Sequence, residues 1–123
     1  MTGVRPSLAA GVALAVALSA PAAAQEALRV RAGEHTAYTR IVIDGPPGAD
    51  YAVGIDGRRL VVSAPWAAGF ALDPARAARG LSRVVDFAPE GGGFAASLAC
   101  ECGVRTTALD DGRFILDVAE GAP

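Results

Sequence analysis

The chain has 123 residues, a formal net charge of −2 and no lysine. Arginines and acidic residues are interspersed without a basic block, which argues against nucleic-acid binding. A chain of this length buries about two thirds of its unfolded surface, which is enough for one small domain to fold alone.

Residues 1–24 have the organisation of a cleaved signal peptide. Arg5 supplies a short positive segment, residues 8–18 are apolar, and residues 22–24 are the small alanines that a signal peptidase reads. The apolar run fits a signal-peptide core and is shorter than the roughly 20 residues that span a bilayer. A retained membrane anchor is the alternative. We predict export to a bacterial periplasm, with a mature chain that begins at Gln25, has a net charge of −3 and is not an integral membrane protein.

From Ala27 onward, short apolar runs alternate with turn signals. Residues 28–32 alternate apolar and polar side chains, as in a strand with one wet face. Asp56-Gly57 stands between two apolar runs and predicts a hairpin with both residues at its centre. Further strands are predicted at residues 41–43, 51–55, 59–63, 83–87, 94–100, 104–109 and 114–118. This spacing predicts an all-β fold, a small β-sandwich of two short sheets over residues 25–119, with 120–123 as a tail or linker.

The one helical candidate is residues 73–79. Asp73 can act as its N-cap, Pro74 suits the first helical position, and Gly80 ends the segment. At no more than two turns, such a helix would cross between sheets without forming a core of its own.

The two halves of the chain also resemble each other. Arg40 and Arg59 are 19 residues apart, and so are Phe94 and Arg113, with an Asp-Gly turn before each second residue. So short a match could also arise by chance, and two repeats are too few for a solenoid. A pair of pseudo-symmetric sheets would also produce it.

Three segments carry a family resemblance: Tyr-Thr-Arg-Ile-Val-Ile at 38–43, Arg-Leu-Val-Val at 59–62 and Arg-Phe-Ile-Leu-Asp-Val at 113–118. On these strands the mature chain resembles the AMIN domain of periplasmic N-acetylmuramoyl-L-alanine amidases and type IV pilus secretins. The resemblance implies two short sheets packed face to face, no catalysis, and targeting to the cell envelope through peptidoglycan. The Cys-Glu-Cys at 100–102 departs from the family pattern.

The sequence contains no recognisable catalytic motif. His35 is the only histidine, and no serine lies in a Gly-x-Ser-x-Gly segment. Glu34 and His35 could form an acid–base pair, but the glycine before them favours a solvated turn. We therefore expect no enzyme activity and no cofactor.

Cys100 and Cys102 are the only cysteines, and an even number in an exported protein suggests a disulfide. Residues i and i+2 of an extended strand are about 6.6–6.8 Å apart, so a bond requires a bend, which Gly103 could provide. The alternatives are two thiols without a role, or soft ligands for copper or zinc with His35 as a third. This spacing is a weak metal signal, and no metal site is predicted.

Tyr38, Arg40 and Arg59 are the candidate ligand-binding residues. Alternation places Arg40 opposite Ile41 and Ile43, so it would point outward beside Tyr38 if the isoleucines face the core. The tyrosine ring could stack on a ligand, and the arginine fork could bind a carboxylate at two points. Peptidoglycan carries such carboxylates. Arg59 opens the second family-like segment.

Arg40 and the aromatic residues near Trp66 each have an alternative interpretation. Arg40 could instead form a surface salt bridge with Asp44, Asp56 or Glu34, which would contribute little stability. Trp66, Phe70 and Leu72 are expected to close one end of the sandwich, although an exposed aromatic side chain there could also bind a sugar ring.

The predicted function is that of a non-catalytic envelope domain that binds peptidoglycan or a wall-associated protein. A protein-interaction module that accepts a strand at a sheet edge is the alternative. A small redox or copper-handling protein that uses Cys100 and Cys102 is a third possibility.

Overall fold

A computed structural model describes residues 26–121; the predicted signal peptide, the predicted mature N-terminus at Gln25 and residues 122–123 lie outside the described residues. The described chain forms nine strands and one short helix. The strands are β1 (Leu28–Glu34), β2 (Thr39–Asp44), β3 (Ala52–Asp56), β4 (Arg59–Ser63), β5 (Phe70–Ala71), β6 (Val84–Glu90), β7 (Gly93–Leu98), β8 (Cys102–Ala108) and β9 (Arg113–Glu120), and the helix α1 spans Asp73–Ala77.

The strands form two sheets that share one core. Sheet A has the order β5-β1-β2-β9-β8, and sheet B has the order β3-β4-β7-β6. All pairings are antiparallel except that of β1 with β5. The predicted all-β sandwich of two short sheets is confirmed.

Alternation along β2 shows how the sequence directs one face of sheet A inward. Thr39, Ile41 and Ile43 are fully buried, whereas Arg40 and Asp44 lie on the other face and are half-buried. Because successive side chains of a strand point to opposite faces, a strand with this pattern has one stable orientation toward the core.

The two halves of the sandwich have equivalent strands. β1 to β4 occupy the same relative places as β6 to β9, with the two sheets exchanged. Val62 and Leu116 hold equivalent positions in β4 and β9, and they pair with Phe94 and Ile41 respectively. Phe94 therefore corresponds to Ile41, and the sequence match of Phe94 with Arg40 is wrong by one residue. The core requires an apolar side chain at this position in both halves.

The turn between β3 and β4 also differs by one residue from the prediction. Asp56 pairs with Arg59, which leaves Gly57 and Arg58 as the two turn residues. Gly57 has a φ of 63°, a conformation that glycine adopts at little cost. Asp56 therefore ends the strand instead of entering the turn.

The segment between the halves closes one end of the core. Phe70 packs edge-on against Phe94 with ring centroids 5.1 Å apart, and Leu72 is buried. The exposed fraction of Trp66 is 39%, and its indole N–H donates to the Asp50 carbonyl at 2.7 Å. Phe70 and Leu72 thus close the core, while Trp66 lies at the surface.

Helix α1 is shorter than predicted. It spans Asp73–Ala77, and Asp73 is its first residue instead of its N-cap. Leu72 holds the cap position; its apolar side chain cannot make a capping hydrogen bond and is buried in the core. Pro74 lies in the first turn, where its missing N–H is tolerated.

Candidate functional site

A row of paired residues, three of them charged, crosses the outer face of sheet A. Gly33 on β1 pairs with Arg40 on β2, Arg40 pairs with Asp117 on β9, and Asp117 pairs with Arg105 on β8. Residues paired across antiparallel strands point to the same side of the sheet. The carboxylate of Asp117 therefore lies between two arginines.

Arg40 uses its guanidinium on Asp117. Its Nε donates to one carboxylate oxygen at 2.8 Å and its Nη2 donates to the other at 3.0 Å. The partners proposed from the sequence, Asp44, Asp56 and Glu34, are not the ones it contacts. Arg40 also lies over the ring of Tyr38, with 5.1 Å between the guanidinium carbon and the ring centroid. The Tyr-x-Arg pair thus lies half-buried on the outer face, and its arginine is already paired with Asp117.

The other predicted site residue, Arg59, lies on sheet B. It forms an ion pair with Glu90 on the same sheet. The structure therefore brings Tyr38 and Arg40 together and leaves Arg59 on the opposite side of the sandwich.

A cleft of about 420 Å³ opens beside Tyr38. Its lining includes Tyr38, Gly103, Arg105, Asp117, Ala119 and Glu120. Gly103 and Ala119 pair with each other across β8 and β9 and form the floor of this Tyr38 cleft. Because Gly103 has no side chain and Ala119 has only a methyl group, they do not fill the cleft. The ring of His35 stacks on Tyr38 at 4.6 Å between centroids, on the turn that leads into β2. The cleft thus combines an aromatic wall, a small-residue floor and a charged rim.

The outer face of sheet A is cationic although the chain is acidic. Its strands direct five arginines and two aspartates outward: Arg29, Arg31, Arg40, Arg105, Arg113, Asp44 and Asp117. We call this surface the cationic face. Both Arg31 Nε and Arg31 Nη2 donate to Asp44, at 2.7 and 2.8 Å, and this contact lowers the pKa of the Asp44 carboxyl. On sheet B, Arg59 shares the outer face with three acidic residues, Asp56, Asp86 and Glu90. The two outer faces thus have opposite charge.

Sequence reasoning missed the role of Arg83. Its side chain is only 8% exposed and donates to Glu34 at 3.0 Å and to Glu120 at 2.9 Å. It also donates to the carbonyl of Thr36 at 3.1 Å. Arg83 therefore ties the turn before β2 to the end of β9. Its place as the first residue of the predicted strand 83–87 was the only signal, and it did not indicate burial.

This cluster corrects two expectations. Glu34 is not part of a solvated turn: it ends β1, and hydrogen bonds from Ser82 and Thr39, together with Arg83, hold the pKa of its carboxyl below the usual value. Glu120 is the last residue of β9 and not the start of a tail. Its hydrogen bond from Arg83 likewise lowers the pKa of its carboxyl.

A disulfide joins Cys100 and Cys102, with 5.2 Å between their Cα atoms. This Cα distance is shorter than the extended spacing because the chain bends at residues 99–101, between β7 and β8. The bend therefore precedes Gly103, which lies inside β8 as part of the cleft floor. The sulfurs are joined, so they are not thiolate ligands in this state.

Two absences hold for residues 26–121. Within this range, no group of three or more histidine, cysteine or acidic side chains is arranged to hold a metal ion. The helix found there is too short to cross a membrane.

Comparison with known proteins found no matching family model, no matching curated protein and no matching solved structure. The AMIN resemblance therefore stays a prediction from the strand motifs.

Proposed function

We propose that this chain is an exported, non-catalytic domain of the bacterial cell envelope that binds peptidoglycan through the outer face of sheet A. The Tyr38 cleft is the observation that carries the proposal. It offers an aromatic ring for a sugar or an apolar side chain and cationic groups for a carboxylate. Peptidoglycan presents both kinds of group.

The charge distribution supports the same surface. The cationic face directs five arginines against two aspartates toward solvent, whereas sheet B directs an acidic surface outward. An anionic polymer would be attracted to the first surface and repelled by the second, and this attraction would weaken with salt.

Co-sedimentation with purified sacculi tests the proposal. The wild-type protein should sediment with sacculi, and Tyr38→Ala should weaken the binding because a stacking surface is lost. Arg59→Ala is the matched control: it removes a charged residue from sheet B and should leave binding unchanged. A wild-type protein that stays in the supernatant at low salt would contradict the proposal.

Strand addition at β8 is a second candidate, and the sheet edges favour it. β8 is a seven-residue edge strand of sheet A without proline. By contrast, β6 carries Pro89 and a bulge at Val85, both of which discourage pairing. A partner strand would then bind β8 through backbone hydrogen bonds. Sacculi stripped of their attached proteins separate the candidates, because only peptidoglycan binding would survive the stripping.

A further inference from the structure

We propose that Arg105, and not Arg40, is the residue that binds a ligand carboxylate, and that Arg40 serves to keep Asp117 away from it. The inference rests on the proposed function, since it names the chemistry by which the Tyr38 cleft would hold a stem peptide of peptidoglycan. It assigns to Arg105 the carboxylate-binding role that the strand pattern predicted for Arg40.

The contacts of Arg40 argue against a direct ligand role. Two of its nitrogens face both oxygens of Asp117, and its guanidinium also covers the Tyr38 ring. A bidentate pair uses the fork that a ligand carboxylate would need. To bind the ligand in the same way, Arg40 would first have to release Asp117.

Arg105 has the opposite environment. It is exposed, it lines the Tyr38 cleft, and it makes no hydrogen bond or ion pair with any residue of the described range 26–121. Its strand β8 is two strands away from β2, which Tyr38 directly precedes, and this spacing separates their backbones by about 10 Å. A ligand that stacks on Tyr38 could therefore cross the floor formed by Gly103 and Ala119 and place a carboxylate at Arg105.

The acidic residues around the cleft explain why Arg40 matters. Asp117 is paired in register with both Arg40 and Arg105, so it can contact either arginine. Glu120, at the rim, is already held by Arg83. If Arg40 is removed, the Asp117 carboxylate is released to pair with Arg105 and to compete with the ligand. Arg40 is thus a positioning residue, and its effect on binding depends on Asp117.

This dependence gives a test based on coupled substitutions. The probe is a soluble muropeptide mixture released from sacculi by a muramidase, with affinity measured by NMR titration. Arg105→Ala and Arg40→Ala should each weaken binding about tenfold or more, the scale of a lost charge-assisted hydrogen bond. Adding Asp117→Asn should restore binding to Arg40→Ala but not to Arg105→Ala. Recovery in both double variants, or in neither, would overturn the assignment.

Two controls test whether the cationic face attracts the muropeptides only through its overall positive charge. Arg113→Ala removes the same charge from the cationic face but lies at the other end of β9, and it should weaken binding far less than Arg105→Ala. Muropeptides whose carboxylates have been converted to amides should bind the wild type about as weakly as free-acid muropeptides bind Arg105→Ala. Equal losses for Arg113→Ala and Arg105→Ala, or full binding of the amides, would contradict a specific carboxylate site.

Different results would reject the role of Arg105 and the binding of peptidoglycan. If sacculi bind but Arg105→Ala and amidation change nothing, the assignment fails and peptidoglycan binding stands. If sacculi do not bind at all, the proposed function fails, and titration with N-acetyl-D-alanine still judges the assignment. The site is supported if N-acetyl-D-alanine shifts the Arg105 Nε–H signal and N-acetyl-D-alanine amide does not. A shift at Arg40 alone, or no shift, rejects it.

Discussion

Arg40 and Asp117 are 77 residues apart in the chain, yet they face each other on β2 and β9 and are joined by two hydrogen bonds of 2.8 and 3.0 Å. The side chain of Arg40 is 36% exposed and that of Asp117 is 18% exposed. Solvent screens such a pair, so it adds little to stability. Its main consequence is positional, because it engages the Arg40 guanidinium while Arg105, on the other side of Asp117, has no ion pair within residues 26–121.

The first prediction contrasts neighbours on β2. Ile41→Ala should lower the free energy of unfolding by ~2–5 kcal/mol, because Ile41 is fully buried in the core. Arg40→Ala should lower it by only ~0–1 kcal/mol. Urea unfolding of both variants is the measurement. A larger loss for Arg40→Ala than for Ile41→Ala would mean that the strand faces the other way.

Much of the fold could be predicted from local patterns. The strand alternation around Ile41 and Ile43 depends only on neighbours in sequence, and so does the presence of a hairpin near Gly57, although the predicted turn was one residue too early. The limits appear where register matters. The repeat aligned Phe94 with Arg40 because it compared spacing, whereas the pairing of sheet B places Phe94 at the core position equivalent to Ile41. Cross-strand pairing, which spacing does not contain, sets this register.

The candidate site was predicted only in part, for a similar reason. Tyr38 and Arg40 are two residues apart, so their contact follows from the local course of the chain into β2. Asp117 and Arg105 join them only through the order β2-β9-β8, which no local pattern specifies. Arg83 was missed because buried arginines are rare and its acceptors come from distant segments.

The second prediction concerns this buried arginine. Arg83→Met keeps most of the side-chain volume but removes the hydrogen bonds to Glu34, Glu120 and the Thr36 carbonyl. We expect a loss of roughly 1.5–3 kcal/mol in the free energy of unfolding, as for hydrogen bonds to charged groups. Arg58→Met, at an exposed turn position, is the control and should stay within about 0.5 kcal/mol of the wild type. Equal effects of the two substitutions would show that the Arg83 cluster is not structural.

The third prediction is a loss of stability in acid. Hydrogen bonds from Ser82 and Thr39 hold the pKa of Glu34 below its ordinary value of 4.5, and Arg31 holds the pKa of Asp44 below 3.8. Because folding lowers both pKa values, the stabilisation is fully present above the unfolded pKa values and is lost as pH falls through the folded ones. Urea midpoints should therefore be level from about pH 7 to 5 and should fall below about pH 4.5. Asp44→Asn should reduce this acid sensitivity; an unchanged pH profile in that variant would remove Asp44 from the explanation.

The fourth prediction concerns the disulfide. The ring closed by Cys100 and Cys102 spans three residues, and the chain-entropy relation gives about 1.6 kcal/mol for so small a loop. Reduction should therefore lower the melting temperature modestly and leave the protein folded. The double variant Cys100→Ala/Cys102→Ala should melt close to the reduced wild type. Unfolding on reduction, observed by circular dichroism, would show that the bond does more than close this loop.

The last prediction compares two adjacent glycines. A Cβ atom on Gly93 would collide with the Val62 carbonyl oxygen and crowd the Ser63 Cα at 2.8 Å, and both are backbone atoms of β4 that cannot move aside alone. On Gly92, a Cβ would meet its nearest neighbour, the Cα of Pro65, at 3.4 Å, which is close to ordinary contact.

Gly93→Ala should therefore cost about 1–3 kcal/mol, as overpacking does elsewhere, because β4 and β7 would have to separate. Gly92→Ala should be neutral or slightly stabilising, since alanine restricts the unfolded chain more than glycine does. Urea unfolding of the two variants measures the difference, and heteronuclear NMR spectra would show whether the Gly93→Ala shifts concentrate on β4. If Gly93→Ala is as stable as Gly92→Ala, the close approach of β7 to β4 at Val62 is wrong, and with it the register that places Phe94 in the core.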